Sequence, residues 1–296
     1  MTQQDTGHSA SRFSDAMTLM ASENPVHKKF ITSLRGLFTA REELASGMVL
    51  PGIVTLLEKD KARFLQGAPL LPKARMPLDA KALARCRERL APEMAKAFPN
   101  VSKEITNLDA AFASRKLQLG TRLKSYLAKD QLPDAKTLDT LGVSPEAAAL
   151  YLSQFAKVVA EAVARAVGDH GVLDGWTRGY CPVCGSFPEL SYLEGKEGRR
   201  RLSCSLCAAT WRYTRVACPS CESTDHDKIE LFYLEDKPLE RAEACHVCNR
   251  YILHVDRRER SAEFIPSLEP LGLVHLDMIM QKRGFTPVSA EPAVST

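Results

Sequence analysis

The sequence lacks the long apolar run of a membrane-spanning helix, because no stretch approaches about 18 consecutive apolar residues. It also lacks a secretory signal, since residues 1–14 are polar and no apolar core follows a basic start. With 45% apolar and 26% charged residues, the composition excludes collagen and a wholly disordered chain. We therefore expect a folded cytoplasmic protein, and 296 residues at about 150 per domain suggest two domains.

The sequence is equally poor in catalytic signatures. It has no phosphate-binding glycine loop, no dinucleotide-binding glycine motif and no Ser-His-Asp order. Its carboxylates show no pairing beyond the ordinary charge of helix surfaces. These absences predict a protein that is not an enzyme and has no catalytic residues.

The first 175 residues contain no CxxC pair, and their apolar residues recur at helical spacing. The clearest pattern predicts a helix over 145–167. Ser144 is a good N-cap, Pro145 suits the first turn, and Gly168 ends the helix. An all-helical, bundle-like domain is the simplest arrangement for this half.

Other segments of this half also show helical patterns. Asp79 and Ser102 are predicted to cap two helices, and segments 24–45 and 51–66 are expected to be helical as well. Cys86 lies alone on the apolar face of one of these helices, where we expect a buried thiol.

The character of the chain changes after about residue 175. Short runs of β-type residues predict strands at 189–193, 200–204, 211–216, 229–234 and 251–255. A last helix is predicted over 268–283, capped by Ser267 and ended by Gly284. The tail from 286 to 296 is expected to fray.

Eight of the nine cysteines fall into four CxxC pairs within this second half. The pairs are Cys181 with Cys184, Cys204 with Cys207, Cys218 with Cys221, and Cys245 with Cys248. In a reducing cytoplasm such pairs are metal ligands or redox thiols more often than disulfides. A thioredoxin-type pair needs a βαβ context, which the sequence lacks, so the four pairs predict metal binding.

The spacing of the pairs indicates how they combine. Nineteen residues separate Cys184 from Cys204, and 23 separate Cys221 from Cys245. Each gap is long enough for a β-hairpin that brings the two flanking CxxC pairs close together. Sequential pairing is therefore favoured, with one ion held by Cys181, Cys184, Cys204 and Cys207 and the other by Cys218, Cys221, Cys245 and Cys248. An interleaved pairing stays open, because only the ten residues 208–217 link the two halves.

The residue after each CxxC pair affects the turn that positions the two sulfurs, because an ideal turn has a left-handed backbone there. Gly185 permits the left-handed backbone that aims amide groups at sulfur, and Asn249 tolerates it. Glu222 stands where an ideal knuckle has glycine, and the pair followed by Ala208 is the least typical. Tetrahedral sulfur sites suit zinc and iron alike, so a structural zinc ribbon and a one-electron iron site both remain open.

The charge balance argues against nucleic acid as a partner. Residues 176–266 carry 14 basic and 14 acidic side chains, and eight thiolates with two divalent ions bring the net charge to −4. Nucleic-acid-binding ribbons usually carry a basic surplus instead. The arginine clusters at 199–201 and 257–260 are more typical of solvated faces or acid-pairing sites.

Four segments of the second half carry a resemblance to a known family. They are Cys-Pro-Val-Cys-Gly-Ser at 181–186, Leu-Ser-Cys-Ser-Leu-Cys at 202–207, the Trp-x3-Arg-Val-x-Cys-x2-Cys-Glu segment at 211–222, and Ala-Glu-x-Cys-x2-Cys-x2-Tyr at 242–251. Over about residues 176–286 the chain resembles the FdhE-type formate dehydrogenase accessory proteins of bacteria. The Trp-x3-Arg segment is more specific than the CxxC pairs alone.

The resemblance implies an α+β architecture in four parts. These are a helical domain over 1–175, rubredoxin-like (or zinc-ribbon) β modules over 176–215 and 216–266, and a C-terminal helix and tail over 267–296. It implies that the eight paired cysteines are ligands of two metal ions in tetrathiolate sites, with iron favoured and zinc possible.

The resemblance also implies a function. A protein of this family would be a cytoplasmic assembly factor, or chaperone, that binds the catalytic subunit of formate dehydrogenase during maturation. The helical half could also provide the face of a homodimer. Two alternatives remain, a zinc-ribbon module that binds nucleic acid and a small rubredoxin-like electron-transfer protein.

Overall fold

The computed structural model of the chain describes residues 3–50, 61–168, 173, 175–259 and 264–290. Contacts divide the chain into two compact units. The first comprises Met1–Pro51 and Lys73–Arg165, and the second comprises Gly52–Pro72 and Ala166–Thr296. The first unit is helical and the second is built around a sheet, which confirms the predicted α+β class.

Eight α-helices precede the sheet within the described residues, and all but the third lie wholly or largely in the helical unit. They are α1 (Gln3–Glu23), α2 (Lys28–Gly47), α3 (Lys61–Leu65), α4 (Ala80–Ala97), α5 (Ser102–Ala113), α6 (Leu119–Lys129), α7 (Ala135–Leu141) and α8 (Pro145–Val167). Tyr151 and Phe155 of α8 are fully buried, and Phe112 of α5 stacks on Tyr151 at 5.6 Å between ring centroids.

Helix α8 has the bounds that its sequence predicts. The Ser144 hydroxyl accepts a hydrogen bond from the amide of Ala147 at 3.2 Å, and Gly168 has a left-handed φ of 62°. Among the described residues this helix alone is long and apolar enough to cross a membrane by length and composition. Within its most apolar 18-residue window, 72% is buried inside the protein, as in the core helix of a soluble protein.

Other predictions for the helical half need correction. The carboxylate of Asp79 does cap its helix, accepting from the amide of Ala82 at 2.6 Å. Ser102, however, is already helical and caps nothing, because a 3-10 turn at Pro99–Val101 leads directly into α5. Helices α1, α6 and α7 were not predicted, and of the segment predicted over 51–66, residues 51–60 lie outside the described residues.

The second unit contains one seven-stranded sheet. Its strands are β1 (Pro188–Glu194), β2 (Arg199–Cys204), β3 (Thr210–Arg212), β4 (Ile229–Tyr233), β5 (Glu240–Cys245), β6 (Arg250–Asp256) and β7 (Thr286–Pro287). The order is β3-β2-β1-β6-β5-β4, with β7 paired to β6. Strands β1 and β6 are parallel and bring the two cysteine-bearing halves into one sheet.

One face of the sheet packs against the C-terminal helices α9 (Glu269–Gly272) and α10 (Val274–Lys282). Leu273, Leu276 and Met280 are buried there. The sequence predicted one helix capped by Ser267, but the structure has two pieces, and Leu268 precedes the first without a side-chain cap.

The strand predictions are confirmed with shifts at their ends, except that β3 is shorter than expected; β5 and β7 were not predicted. The tail is not frayed over its described part. Thr286 and Pro287 pair with β6, and Val288 is buried.

Candidate metal centres

The first cluster of sulfurs is closed to solvent. Cys181, Cys184, Cys204 and Cys207 are all buried, and their four Sγ atoms lie within 4.8 Å of one another. Sγ of Cys181 is 3.5 Å from that of Cys207, and Sγ of Cys184 is 3.5 Å from that of Cys204. Four sulfurs at about 2.3 Å from a central ion would have edges of about 3.8 Å, so the cluster fits a tetrahedral metal ion.

The second cluster has the same size but is open on one side. It comprises Cys218, Cys221, Cys245 and Cys248, with Sγ separations of 3.6 Å for Cys218 to Cys248 and 3.7 Å for Cys221 to Cys245. Cys221 is exposed and Cys248 is half-buried. The structure thus groups the pairs sequentially rather than interleaved, and only the second cluster reaches solvent.

The residue after the second cysteine of each pair has a left-handed backbone. These residues are Gly185 (φ 80°), Ala208 (φ 55°), Glu222 (φ 57°) and Asn249 (φ 59°). Each donates its N–H to the carbonyl of the first cysteine of its pair over 2.9–3.3 Å. In the first cluster the amides of Val183 and Leu206 lie 3.4 Å from Sγ of Cys181 and Cys204. The knuckle turn therefore forms without glycine at three of the four positions.

Ala208 offers a test of this turn. Replacing Ala208 by glycine should raise the free energy of unfolding by about 1 kcal/mol, since a left-handed backbone costs an L-residue roughly 1–2 kcal/mol and glycine's larger unfolded entropy offsets part of the gain. Ala209→Gly is the matched control, because Ala209 has no positive φ and should lose roughly 0.5–1 kcal/mol. Denaturant unfolding of the zinc-loaded chain measures both. Equal destabilisation by the two variants would contradict a strained left-handed backbone at Ala208.

The segment before residue 73 helps to close the first cluster. The amides of Leu70 and Leu71 donate to the carbonyls of Pro182 and Val183, each at 2.8 Å. The Tyr180 hydroxyl donates to the carbonyl of Gly67 at 2.7 Å. These bonds hold a buried stretch of chain directly on the first knuckle.

Burial is the largest single influence on the pKa values of four of the clustered thiols. Burial raises the pKa of Cys181 and Cys207 well above the ordinary value. Burial acts in the same direction on Cys184, but hydrogen bonds from its three neighbouring thiols hold its pKa well below that value. At the more open centre, burial raises the pKa of Cys248 to about 11. A bound cation stabilises all four thiolates, so binding releases protons and strengthens as pH rises.

A buried polar cluster joins strands β1, β2, β5 and β6. Arg200 of β2 forms an ion pair with Glu243 of β5, and its Nε donates to Oγ of Ser191 at 2.8 Å. His254 Nδ1 lies 2.8 Å from Oε1 of Glu243 and 3.1 Å from Oγ of Ser191. Arg200 also donates to the carbonyl of Ala217 at 2.8 Å, which ties the strand to the loop entering the second centre.

None of the predicted site residues belongs to this cluster. Burial alone would raise the pKa of Glu243, but Arg200 and His254 lower it, so the carboxylate stays ionised. The arginine run at 199–201 is typical of solvated faces or acid-pairing sites, and for Arg200 the structure shows the second: it is buried and paired with Glu243. Strand alternation places Arg200 on the face of the buried Leu202, and that signal could have found it.

Three residues lie outside the sulfur clusters and have structural surroundings of their own. Cys86 is buried, as predicted, and burial raises its pKa to about 11. Trp211 is buried, and its Nε1 donates to the carbonyl of Arg178 at 3.1 Å. His246, inside the last knuckle, contacts Glu230 through Nε2 at 2.8 Å and is not part of the sulfur cluster.

The fold and the sulfur clusters together define a class: an α+β protein with a helical unit and a sheet that carries two four-cysteine clusters fit for metal ions. The family model described as FdhE, central domain, matches residues 180–215, which include the whole first cluster.

Curated relatives extend the match. The chain is 30% identical over 243 residues to the "Protein FdhE homolog" of Cronobacter sakazakii, covering 80% of this chain and 73% of that protein. It is 36% identical over 116 residues to the "Protein FdhE homolog" of Aquifex aeolicus, covering 38% of this chain and 41% of that relative. The chain therefore spans about two fifths of the Aquifex protein's length.

A solved structure agrees in fold. The crystal structure of the FdhE protein from Pseudomonas aeruginosa superposes with a TM-score of 0.66, at 22% identity, over 95% of this chain and 94% of that one. The chain belongs to the FdhE family.

Proposed function

We propose that the chain is a cytoplasmic accessory protein for the maturation of formate dehydrogenase, and that it binds the catalytic subunit of that enzyme. The observation that carries the proposal is the presence of two four-cysteine clusters on a chain of the FdhE family. In this account the protein docks its client before export or assembly and is not itself an enzyme. Family membership does not favour the nucleic-acid alternative.

The eight clustered cysteines hold two metal ions in this proposal. Iron is favoured by the family resemblance, and the sulfur separations of 3.5–3.7 Å suit zinc equally well. Bound iron would supply a one-electron couple, whereas zinc would only shape the fold. The cysteines themselves fix the knuckles and the loops between them.

We assign the client-facing role to the second centre. Its cysteines include the exposed Cys221, while every sulfur of the first centre is buried. Two large apolar side chains close to it in sequence, Val216 and Val247, are 45% and 56% exposed. Exposed apolar side chains around an open site are a common feature of protein-binding surfaces.

Replacing both Cys245 and Cys248 by serine tests this role. The variant should lose retention of the catalytic subunit on a column of the tagged full chain, by at least on the order of tenfold, because the knuckle at this centre loses its ion. The amount of subunit retained, measured by quantitative blotting, is the readout. Cys86→Ser is the matched control, since it makes the same chemical change at a buried cysteine outside both clusters.

The control should retain the subunit as the wild type does. Metal analysis and circular dichroism of each variant establish that the double variant is folded and lacks the second ion. Full retention by such a folded, metal-depleted variant would contradict a client-binding role for the second centre. Failure of the wild-type chain to retain the subunit would overturn the proposed function itself.

A further inference from the structure

Strand β4 forms one edge of the sheet. It pairs on one side with β5, from Ile229 opposite Cys245 to Tyr233 opposite Arg241. Within the described part of the chain no strand pairs with its other side. An edge of this kind presents backbone N–H and C=O groups that another extended chain can pair with.

The side chains of β4 do not protect this edge. Leu231 and Tyr233, two positions apart, lie on the same face of the strand and are 45% and 54% exposed. Leu234, the next residue along the chain, is 38% exposed. The opposite edge strand, β3, is only three residues long, with Trp211 buried and Arg212 exposed. Short length and outward charge are the usual means by which edges avoid pairing. Strand β4 is longer than β3, and its single charged side chain, Glu230, is engaged by His246 at 2.8 Å.

The chain segment that contains β4 is acidic, although Arg283 lies over the ring of Phe232 at 4.6 Å. The segment from Asp225 to Lys237 carries five carboxylates against two lysines, although the whole chain has a formal net charge of +4. The carboxylates are Asp225, Asp227, Glu230, Glu235 and Asp236, and all five residues are exposed. A second copy of the chain pairing here would bring like charges together, whereas a basic segment would be attracted.

The second metal centre anchors one end of this edge. The amide of His246, within the last CxxC pair, donates to the carbonyl of Lys228 at 2.8 Å. His246 Nε2 also contacts Oε2 of Glu230 at 2.8 Å. Loss of the ion at this centre would therefore disturb the start of β4 as well as the knuckle.

We propose that β4 binds an extended, basic segment of a partner polypeptide by strand addition. Backbone hydrogen bonds continue the sheet, apolar side chains of the segment pack on Leu231 and Tyr233, and its Lys or Arg side chains face the flanking carboxylates. This inference rests on the proposed function only for the identity of the partner as the catalytic subunit.

Three labelled octapeptides test the mode of binding on the full metal-loaded chain. A Lys-Val repeat should bind, and a Glu-Val repeat should not. A Lys-Val repeat with N-methylated backbone amides keeps its charge but loses its donors, so it should bind more weakly by on the order of tenfold. Fluorescence anisotropy measures affinity, and hydrogen exchange should show new protection in β4. Equal binding of the N-methylated peptide, or protection elsewhere, would overturn strand addition.

Variants of the edge locate the surface. Leu231→Lys together with Tyr233→Lys should weaken the Lys-Val peptide by on the order of tenfold, through lost apolar contact and added like charge. Met278→Lys is the matched control, because Met278 is 53% exposed on α10, away from β4 in sequence, and it should change nothing. Light scattering of the wild type and the edge variant tests the rival occupant. A dimer that the edge variant abolishes would mean that a second copy covers β4, and would overturn the proposal.

Retention of the catalytic subunit separates this inference from the proposed function. If the wild type retains the subunit and the edge variant loses it, β4 is the docking edge. If both retain it equally, docking lies elsewhere and the edge proposal fails, while the accessory function stands. If neither retains it, the proposed function fails, and the peptide experiment alone decides whether β4 accepts a basic strand.

Discussion

Replacing Cys184 by serine is expected to unfold the sheet around the first centre, whereas replacing Cys221 by serine should leave the sheet folded. Structural zinc binding is worth about 10–16 kcal/mol in small metal-dependent domains, and in them that energy is folding energy. Such a term is comparable with the ~5–15 kcal/mol stability of a whole domain. Cys184 is fully buried in a closed cluster, so its loss leaves no substitute ligand, while water can reach the exposed Cys221 position.

The two variants are compared by hydrogen exchange and metal content. Cys184→Ser should lose protection in β1 and β2, and Cys221→Ser should keep it while holding the second ion more weakly. Cys86→Ser controls for burying a hydroxyl in place of a thiol, which costs roughly 1–3 kcal/mol, and should keep both ions. Native protection of β1 and β2 in Cys184→Ser would contradict a structural role for the first centre.

Replacing Arg200 by methionine should cost the sheet unit about 3–5 kcal/mol, because a buried charge pair is strongly destabilised when one partner is removed. Glu243 would keep a buried carboxylate with His254 and Arg241 as its remaining basic neighbours. The carbonyl of Ala217, which Arg200 binds at 2.8 Å, would also lose its donor. Both tryptophans of the chain, Trp176 and Trp211, belong to this unit, so their fluorescence follows its unfolding.

Two further variants show whether the loss comes from the buried cluster. Arg199→Met changes a neighbouring arginine whose side chain is 52% exposed and 3.9 Å from Glu197, and it should cost less than about 1 kcal/mol. Arg200→Met combined with Glu243→Leu removes both charges and should recover part of the loss. A cost for Arg200→Met no larger than that for Arg199→Met would show that the ion pair contributes little.

Local signals predicted the parts of the fold that depend on nearby residues. The helix over 145–167 follows from Ser144, Pro145 and a wide apolar face, all within one stretch of chain. The grouping of the cysteines follows from hairpin-sized gaps of 19 and 23 residues. In both cases the interacting groups lie close enough in sequence for spacing to restrict their geometry.

The remaining features depend on contacts between distant residues. Parallel pairing of β1 with β6 places Ser191 opposite His254, 63 positions away, and no local pattern encodes that register. The bonds of Leu70 and Leu71 to the first knuckle cross more than 110 positions. The exposure of Cys221 was likewise beyond sequence analysis, because the two clusters have identical CxxC spacing.

Ala208 and Glu222 have a left-handed backbone although neither residue type favours it, so the conformational preference of a residue does not by itself predict the turn. Glycine permits this conformation and asparagine tolerates it, so residue preference supported the turn at Gly185 and Asn249 but not at Ala208 or Glu222. At both positions the backbone hydrogen bond of the knuckle, to the carbonyl of Cys204 or Cys218, helps to hold the turn against a preference of roughly 1–2 kcal/mol.

Metal content with an optical spectrum, on the full chain purified without oxygen or added metal, tests the central claim most directly. The account predicts two irons per chain, with red thiolate-to-iron absorption that bleaches on reduction. It also predicts one ion per chain when Cys245 and Cys248 are both serine. Two zincs and a colourless protein would contradict the assignment of iron. Fewer than two ions in the wild type, or two in the double variant, would contradict the assignment of the eight cysteines as ligands of two centres.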